Sequence, residues 1–277
     1  MNLIVLGSGQ DGGIPHTGCY CPACNRARRY TRYRRLGPSV ALFDSEAGVC
    51  HLIDASPDFK AQIDMIHAEI PTVKRAGKIP VSGILLTHAH YGHIAGLLEL
   101  GKEVLNERGI PVYCTAEIGR FLSVSPPFSH LVRGGNIRIR EVCPGAKTAL
   151  RGFGVTALEV PHRNEIADTV GYIIEARSRL AYIPDADRWT DEMLEEVRRS
   201  DVAVLDGTFH SPAELPGYKS VPHPTIQETV ELLKGADTEV YFTHINHTNP
   251  VNRHSRERKS LERKGFKVAH DGLILTI

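Results

Sequence analysis

The chain has 277 residues, 42% hydrophobic and 23% charged, with a formal net charge of +1. That length builds a substantial core, and no composition shift divides it, so a single domain over 1–277 is expected. The charge balance argues against a general nucleic-acid binder, and no apolar run approaches the ~18 residues of a membrane span.

The first segment, Asn2 to Leu6, reads as a strand. Met1 and its neighbours lack the basic and long apolar stretches of a secretory leader, so a cytoplasmic location is expected. The glycine-rich run from Gly7 to Gly13 follows. It lacks the Lys-Ser/Thr ending of a phosphate loop and reads as a tight loop packed close to a site. Cys19, Cys21 and Cys24 then lie within six residues, with Pro22 between them. Three thiolates in a short turn suit zinc in a closed tetrahedral site, which needs a fourth ligand. Cys50, Cys114 and Cys143 are scattered in apolar segments and read as buried small hydrophobes. The run Arg26, Arg28, Arg29, Arg32, Arg34 and Arg35 reads as a solvated helix face beside the cysteines.

Pro38–Phe43 and Val49–Asp54 alternate as two strands, and Pro57 opens a helix to about Ala68. Ile84–Leu86 is a short buried strand. It runs directly into His88, His90 and His93, three imidazoles within six positions, and neutral imidazole is the commonest protein metal ligand. A helix is expected from Ile94 to about Glu107, a strand over Pro111–Cys114 and a short helix over Thr115–Leu122. Ser123–Arg133 holds two prolines and little pattern, and is expected to be a surface loop. Strands are expected at Asn136–Glu141, Gly154–Val160, Thr169–Ala176, Leu180–Ile183, Val202–Leu205, Glu239–Phe242, Phe266–Val268 and Leu273–Thr276. Helices are expected at Thr190–Arg199, Thr225–Lys234 (after Pro222-His223-Pro224) and Ser255–Arg263. Polar ligand candidates recur where these strands end: Asp54, His88, His162, Asp185, Asp206 and His244. Strand ends converging on one rim are how an α/β metal site is assembled. His51, His67, His130, His254 and His270 lack partners in sequence and read as ordinary core or surface side chains; His16 and His210 lie nearer the expected rim.

Thr87-His88-Ala89-His90-Tyr91-Gly92-His93 resembles the His-x-His-x-Asp-His motif of the metallo-β-lactamase superfamily, and His162, Asp185 and His244 extend the match along the chain. Two branches are closer. Leu6-Gly7-Ser8, Gly12 to Pro15, the three clustered cysteines, Ala55 to Asp58, Asp206 to Thr208 and His244 to Asn246 resemble coenzyme PQQ synthesis protein B. The cysteines, the histidine motif and the His-Ile-x-His ending at His247 resemble the cyclic phosphodiesterase of phosphonate breakdown.

The resemblance implies an αββα sandwich with the site on one edge. It implies that His88, His90 and His162 hold one divalent ion, that His93 and His244 hold another, and that Asp185 bridges them. Zinc, manganese and iron are the candidate metals. His247 would complete a structural zinc site with Cys19, Cys21 and Cys24. Asp54, with Asp206, would orient ligand imidazoles, and His223 would serve proton transfer. One position departs: the motif's Asp is Gly92, so the second ion loses a carboxylate. Asp187 and Asp206 are the candidate substitutes, and restoring Asp at 92 is expected to raise occupancy.

Two activities follow from the resemblance. One is a hydrolase in which a metal-activated water attacks a phosphodiester, ester or lactone of a small anionic substrate, with Arg163-Asn164 at hand for the anion. The other is an iron-dependent oxygenase acting on a tyrosine-derived precursor, which Gly92 would suit by leaving a single ion. A metal-stabilised binding protein without activity is a third possibility. No nucleic-acid or membrane partner is expected, and a homodimer is allowed by the sequence.

Overall fold

The structure, a computed structural model, describes residues 1–70, 79–214, 223–252 and 255–277. Pro222 and His254 lie outside the described residues. Among the described residues no helix is long and apolar enough to cross a membrane.

The first sheet is built from β1 (Asn2–Gly7), β2 (Ser39–Asp44), β3 (Val49–Ile53), β4 (Gly83–Leu85), β5 (Ile110–Cys114), β6 (Ile137–Glu141) and the chain-closing β14 (Ile274–Thr276). Their order is β14-β1-β2-β3-β4-β5-β6. The second sheet contains β7 (Lys147–Leu150), β8 (Phe153–Glu159), β9 (Val170–Glu175), β10 (Arg179–Ile183), β11 (Val202–Asp206), β12 (Glu239–Thr243) and β13 (Lys267–Val268), ordered β13-β12-β11-β10-β9-β8-β7. Each sheet mixes an antiparallel half with a parallel one.

Alternation along the strands sets the layers. Leu3 and Val5 face the second sheet, where they meet Val155, Tyr172, Tyr182 and Val204 in the central core. Ile4 and Leu6 face the other way, onto α2 (Phe59–Glu69) and α4 (Ala116–Val124) through Phe59, Ile63, Ile66, Ile118 and Leu122. The outer face of the second sheet, Ile173, Ala181, Ile183 and Leu205, packs on α6 (Asp191–Arg198), α7 (Ile226–Leu232) and α8 (Arg256–Arg263). Period-two alternation in strands buried on both faces requires apolar residues at nearly every position, as these strands have. The result is the expected αββα sandwich. Caps fix where helices begin: Thr225 and Glu228 form a reciprocal capping box at α7, and Thr190 caps α6.

Four expectations are corrected. Ser123–Arg133 is largely helical: α4 runs to Val124, and α5 (Phe128–Arg133) starts immediately after Pro127, where proline's fixed φ suits a helix start. The helix after the histidines is short. Here α3 (Tyr91–Ile94) gives way to a 3₁₀ turn over Ala95–Leu100, because the 55–56 segment intrudes. The Ala55 amide bonds the His93 carbonyl at 2.7 Å, and the Gly96 amide bonds the Ala55 carbonyl at 2.8 Å. Arg35 is buried rather than solvated, its guanidinium bonded to Ser8 Oγ, Asn252 Oδ1 and the Ala269 carbonyl. Cys50 and Cys114 are buried, with thiols pushed up to about 12 by burial, whereas Cys143 is exposed.

Strand direction positions the site. β1, β3 and β4 point the same way in the first sheet, and β8, β10, β11 and β12 share one direction in the second. Their C-terminal ends meet along one edge, tied by the bridge between Gly9 and Ile245, the Val170 amide on the Thr87 carbonyl and the Tyr172 hydroxyl on the Leu86 carbonyl.

Candidate metal centre

Every sequence-predicted ligand arrives on that edge. Asp54 ends β3, His88 and His90 follow β4, and His93 lies in α3. His162, Asp185, Asp206 and His244 follow or end β8, β10, β11 and β12. Asp54 and His244 take left-handed backbone conformations, with φ of 66° and 57°. Such conformations are uncommon for residues other than glycine, and here they turn the chain sharply so that the side chain enters the edge.

Asp185 is the hub. Its Oδ2 lies 3.2 Å from His162 Nε2, 3.6 Å from His88 Nε2, 3.6 Å from His244 Nε2 and 3.9 Å from His93 Nε2. His90 presents Nδ1 to His162 Nε2 at 3.2 Å. His90 is half-buried; His88 Nε2, His93 Nε2, His244 Nε2 and both Asp185 oxygens are buried and have no hydrogen-bond partner among the described residues. Buried polar atoms without a partner are costly, several kcal/mol for a charge, so convergent orphans of this kind fit a divalent cation. Donors bound to one ion at roughly 2.0–2.2 Å stand about 3–3.5 Å apart, close to the spacings around His162.

The opposite ring nitrogens are all held. Thr87 Oγ1 donates to Asp54 and lies 2.9 Å from His88 Nδ1. Asp54 Oδ2 takes His93 Nδ1 at 2.8 Å, and Asp187 Oδ1 takes His162 Nδ1 at 2.8 Å. Thr208 Oγ1 donates to Asp206 and lies 2.8 Å from His244 Nδ1. With Nδ1–H donating outward, each Nε2 is left with its lone pair facing the hub, the tautomer a metal requires. Asp54 and Asp206 thus stand where they were expected, behind the imidazoles. Asp187, a candidate substitute for the missing carboxylate, instead stands behind His162 and is removed from that role; Asp206 is taken up by Thr208, the Ala186 amide and His223.

Electrostatics follow the geometry. Burial would raise the Asp185 carboxyl, but the imidazoles of His244, His162 and His223 outweigh it and hold the group well below the usual carboxylate range. Burial, reinforced by neighbouring imidazoles, keeps His88 well below its ordinary value and so neutral. His223 Nδ1 is 2.9 Å from Asp206 and 3.3 Å from Asp185. Burial alone would lower it, yet these two carboxylates raise it to about 9.

One residue at the centre was missed by sequence reasoning. Asp11, in the glycine-rich loop after β1, brings Oδ1 to 3.4 Å from His93 Nε2 and 3.8 Å from His244 Nε2. Asp11, His93 and His244 form a second group with metal-ligand spacing beside His88, His90, His162 and Asp185. The available signal was an acid among four glycines, leaving a strand that ends on the same edge as Asp54 and His88.

The cysteines also converge. Cys19 Sγ and Cys21 Sγ lie 3.6 Å and 3.5 Å from His247 Nδ1, and Cys24 completes the group. Bonds of ~2.3 Å to sulfur and ~2.0 Å to nitrogen at a tetrahedral angle separate S and N by about 3.5 Å, so the four donors fit zinc. Of the remaining histidines, His51 is buried against Phe153 and Tyr113, while His130 and His270 are exposed and His67 is half-buried. His16 packs at a tilt against His247, ring centroids 5.3 Å apart, beside the cysteines, and His210 is half-buried.

An αββα sandwich carrying a histidine–aspartate metal centre at its strand ends defines a metallo-β-lactamase-type protein. A family model described as a beta-lactamase superfamily domain matches residues 51–245, and the chain belongs to that superfamily. More particularly, it is 30% identical to coenzyme PQQ synthesis protein B of Methylobacterium sp. (strain 4-46) and 31% identical to that of Methylorubrum extorquens (strain PA1), with all of both chains covered in each case. Among solved structures it resembles the Zn(2+)-bound PqqB from Methylobacterium extorquens, with a TM-score of 0.87 and 28% identity over 100% of both chains. It also resembles a diphosphatase from the PhnP family, with a TM-score of 0.74 and 28% identity over 99% of this chain and 96% of the other.

Proposed function

We infer that the chain is a metal-dependent hydrolase acting on a phosphodiester, ester or lactone of a small anionic substrate. The carrying observation is the hub itself: four imidazole nitrogens from three separate segments facing one oxygen of Asp185, those of His88, His93 and His244 without hydrogen-bond partners among the described residues. His88, His90 and His162 would hold one divalent ion (zinc, manganese or iron), His93 and His244 a second, and Asp185 would bridge them. Ions so held would supply Lewis acidity, polarising a substrate oxygen and providing a nucleophile near neutral pH. Asp185 would hold both. Asp206 accepts from His223 Nδ1 at 2.9 Å and, with Asp185, raises the imidazole to about 9, so His223 would carry the proton for the leaving group. Arg163, exposed next to His162, acts electrostatically on both His90 and His223, so an anion at the mouth would meet its charge. Cys19, Cys21, Cys24 and His247 would hold a structural zinc that staples the N-terminal loop to the segment after β12.

The full-length likeness to coenzyme PQQ synthesis protein B supports a second reading, an iron-dependent oxygenase acting on a tyrosine-derived precursor. One experiment separates them. Protein reconstituted with zinc, manganese or iron is assayed anaerobically on bis(p-nitrophenyl) phosphate and a panel of diphosphates, esters and lactones, then for oxygen uptake with a tyrosine-containing peptide. Hydrolysis without oxygen, lost at least about 100-fold in His88→Ala with an unchanged circular dichroism spectrum, is the expected result. Oxygen uptake with peptide and no hydrolysis would replace it with the second reading.

A further inference from the structure

Gly92 stands where the superfamily motif has a carboxylate, and the structure places a different carboxylate in the same volume. A Cβ built on Gly92 would lie 2.2 Å from Asp11 Oδ1, 2.7 Å from Asp11 Cβ and 2.6 Å from Asp11 Cα. An Asp side chain at 92 extends its carboxyl carbon about 1.5 Å beyond Cβ. It would therefore run into the space that the Asp11 carboxylate already fills. Asp11 cannot retreat cheaply, because its backbone is pinned on both sides. The Gly9 amide bonds the Leu36 carbonyl at 2.9 Å, the Gln10 amide bonds the Ile245 carbonyl at 3.1 Å, and the Gly13 amide bonds the Gln10 carbonyl at 2.6 Å. Ile14 pairs with Arg35 beyond it.

Asp11 Oδ1 is buried and has no hydrogen-bond partner among the described residues, although His93 Nε2 and His244 Nε2 lie within 3.4 and 3.8 Å. Those two nitrogens are orphaned as well. Three unpartnered donor atoms facing one another, with Asp185 Oδ2 on their other side, make a four-donor set for an ion.

We propose that Asp11 is the carboxylate ligand of the second metal position, delivered from the N-terminal loop in place of the motif Asp, and that Gly92 is required because it vacates the volume Asp11 uses. The inference rests on the two-ion reading above. A side chain at 92 collides with the Asp11 backbone as well as its carboxylate, so in this fold the carboxylate reaches the site from the loop and not from position 92. The expectation that Asp at 92 alone would strengthen the second position is therefore reversed.

The test uses full-length protein with zinc as the probe, bound equivalents counted by elemental analysis and affinities measured by competition with a chromophoric chelator. Wild type should bind two ions beyond the cysteine site. Asp11→Ala and Asp11→Asn should weaken the second of these by at least about 10-fold and leave the first unchanged, with melting curves reporting that the fold persists. Gly92→Asp alone should gain no affinity. The double variant Asp11→Gly/Gly92→Asp should also fail to recover the second ion, because the Cβ at 92 still meets the Cα of position 11. A second ion held equally well by Asp11→Ala, or held more tightly by Gly92→Asp with Asp11 in place, overturns the proposal. So does wild type binding one ion at the histidines; binding none there would instead sink the metal-hydrolase reading as a whole.

Discussion

Replacing Asp54 with Asn tests the electrostatic skeleton behind the metal centre. Asp54 is fully buried and accepts from the Thr87 amide at 2.8 Å, from Thr87 Oγ1, and from His93 Nδ1 at 2.8 Å. In metal-free protein, burial disfavours the His93 imidazolium, but Asp54, then Asp11, raise it to about 10 from 6.5. That net rise corresponds to roughly 5 kcal/mol left after burial is overcome, so the attraction itself is larger; Asp54 supplies more of it than Asp11, on the order of 3 kcal/mol. Breaking a buried pair by removing one partner costs about 3–5 kcal/mol, the same order. The sign is set by linkage: a histidine whose folded value is raised stabilises fully below pH 6.5, and this stabilisation is lost as pH rises through about 10. Urea unfolding of chelator-treated protein at pH 6 should therefore show Asp54→Asn destabilised by roughly 3 kcal/mol, shrinking to about 1 kcal/mol or less near pH 10. A difference below about 1 kcal/mol at pH 6, or one that does not change with pH, would refute the assignment of Asp54 as the partner of a charged His93.

Two further outcomes are expected. Cys21→Ser should remove one zinc equivalent and lower stability by at least ~2 kcal/mol while the histidine cluster still binds metal; unchanged stoichiometry would show that the cysteines hold no ion. His51, with its pKa pushed down to about 4 by burial, stays neutral in the fold while the unfolded chain protonates below pH 6.5. Stability thus falls between pH 6.5 and 4, by about 2 kcal/mol at pH 5. His51→Phe should abolish that share of the acid loss in urea titrations at pH 7.5 and 5, and equal losses in both proteins would place the acid sensitivity elsewhere.

The parts of the site that the sequence made legible share a physical cause. His88, His162, Asp185 and His244 each follow a short apolar strand, and a strand buried on both faces exposes its ends, so polar residues just past it are held at a rim. The cysteines were legible because three thiols in six residues have few other uses inside one turn. What stayed hidden depended on contacts distant in sequence. Lys147–Leu150 became an edge strand by pairing with β8, though its own alternation is weak. Arg35 is buried because Ser8, Asn252 and Ala269, 27 to 234 residues away, supply acceptors that local charge patterning cannot reveal.

Asp11 extends the same lesson to function. A motif read by position registers Gly92 as a loss, since it counts side chains along one segment. A coordination sphere has no such bookkeeping; it responds to where oxygen atoms stand, whichever strand delivers them. Moving the carboxylate from α3 to the loop after β1 changes what the loop must do. Here it carries a donor, so the contacts that fix it become part of the metal centre. Those contacts run to Leu36 and Ile245, and Ile245 directly follows His244 in the centre and lies two residues before His247 beside the cysteines. The cysteine cluster, eight residues beyond Asp11 at Cys19, anchors the other end of the same loop to His247. A site built with the motif Asp could tolerate a loose N-terminal loop, whereas this one requires the loop and the β12 end to be held as one body.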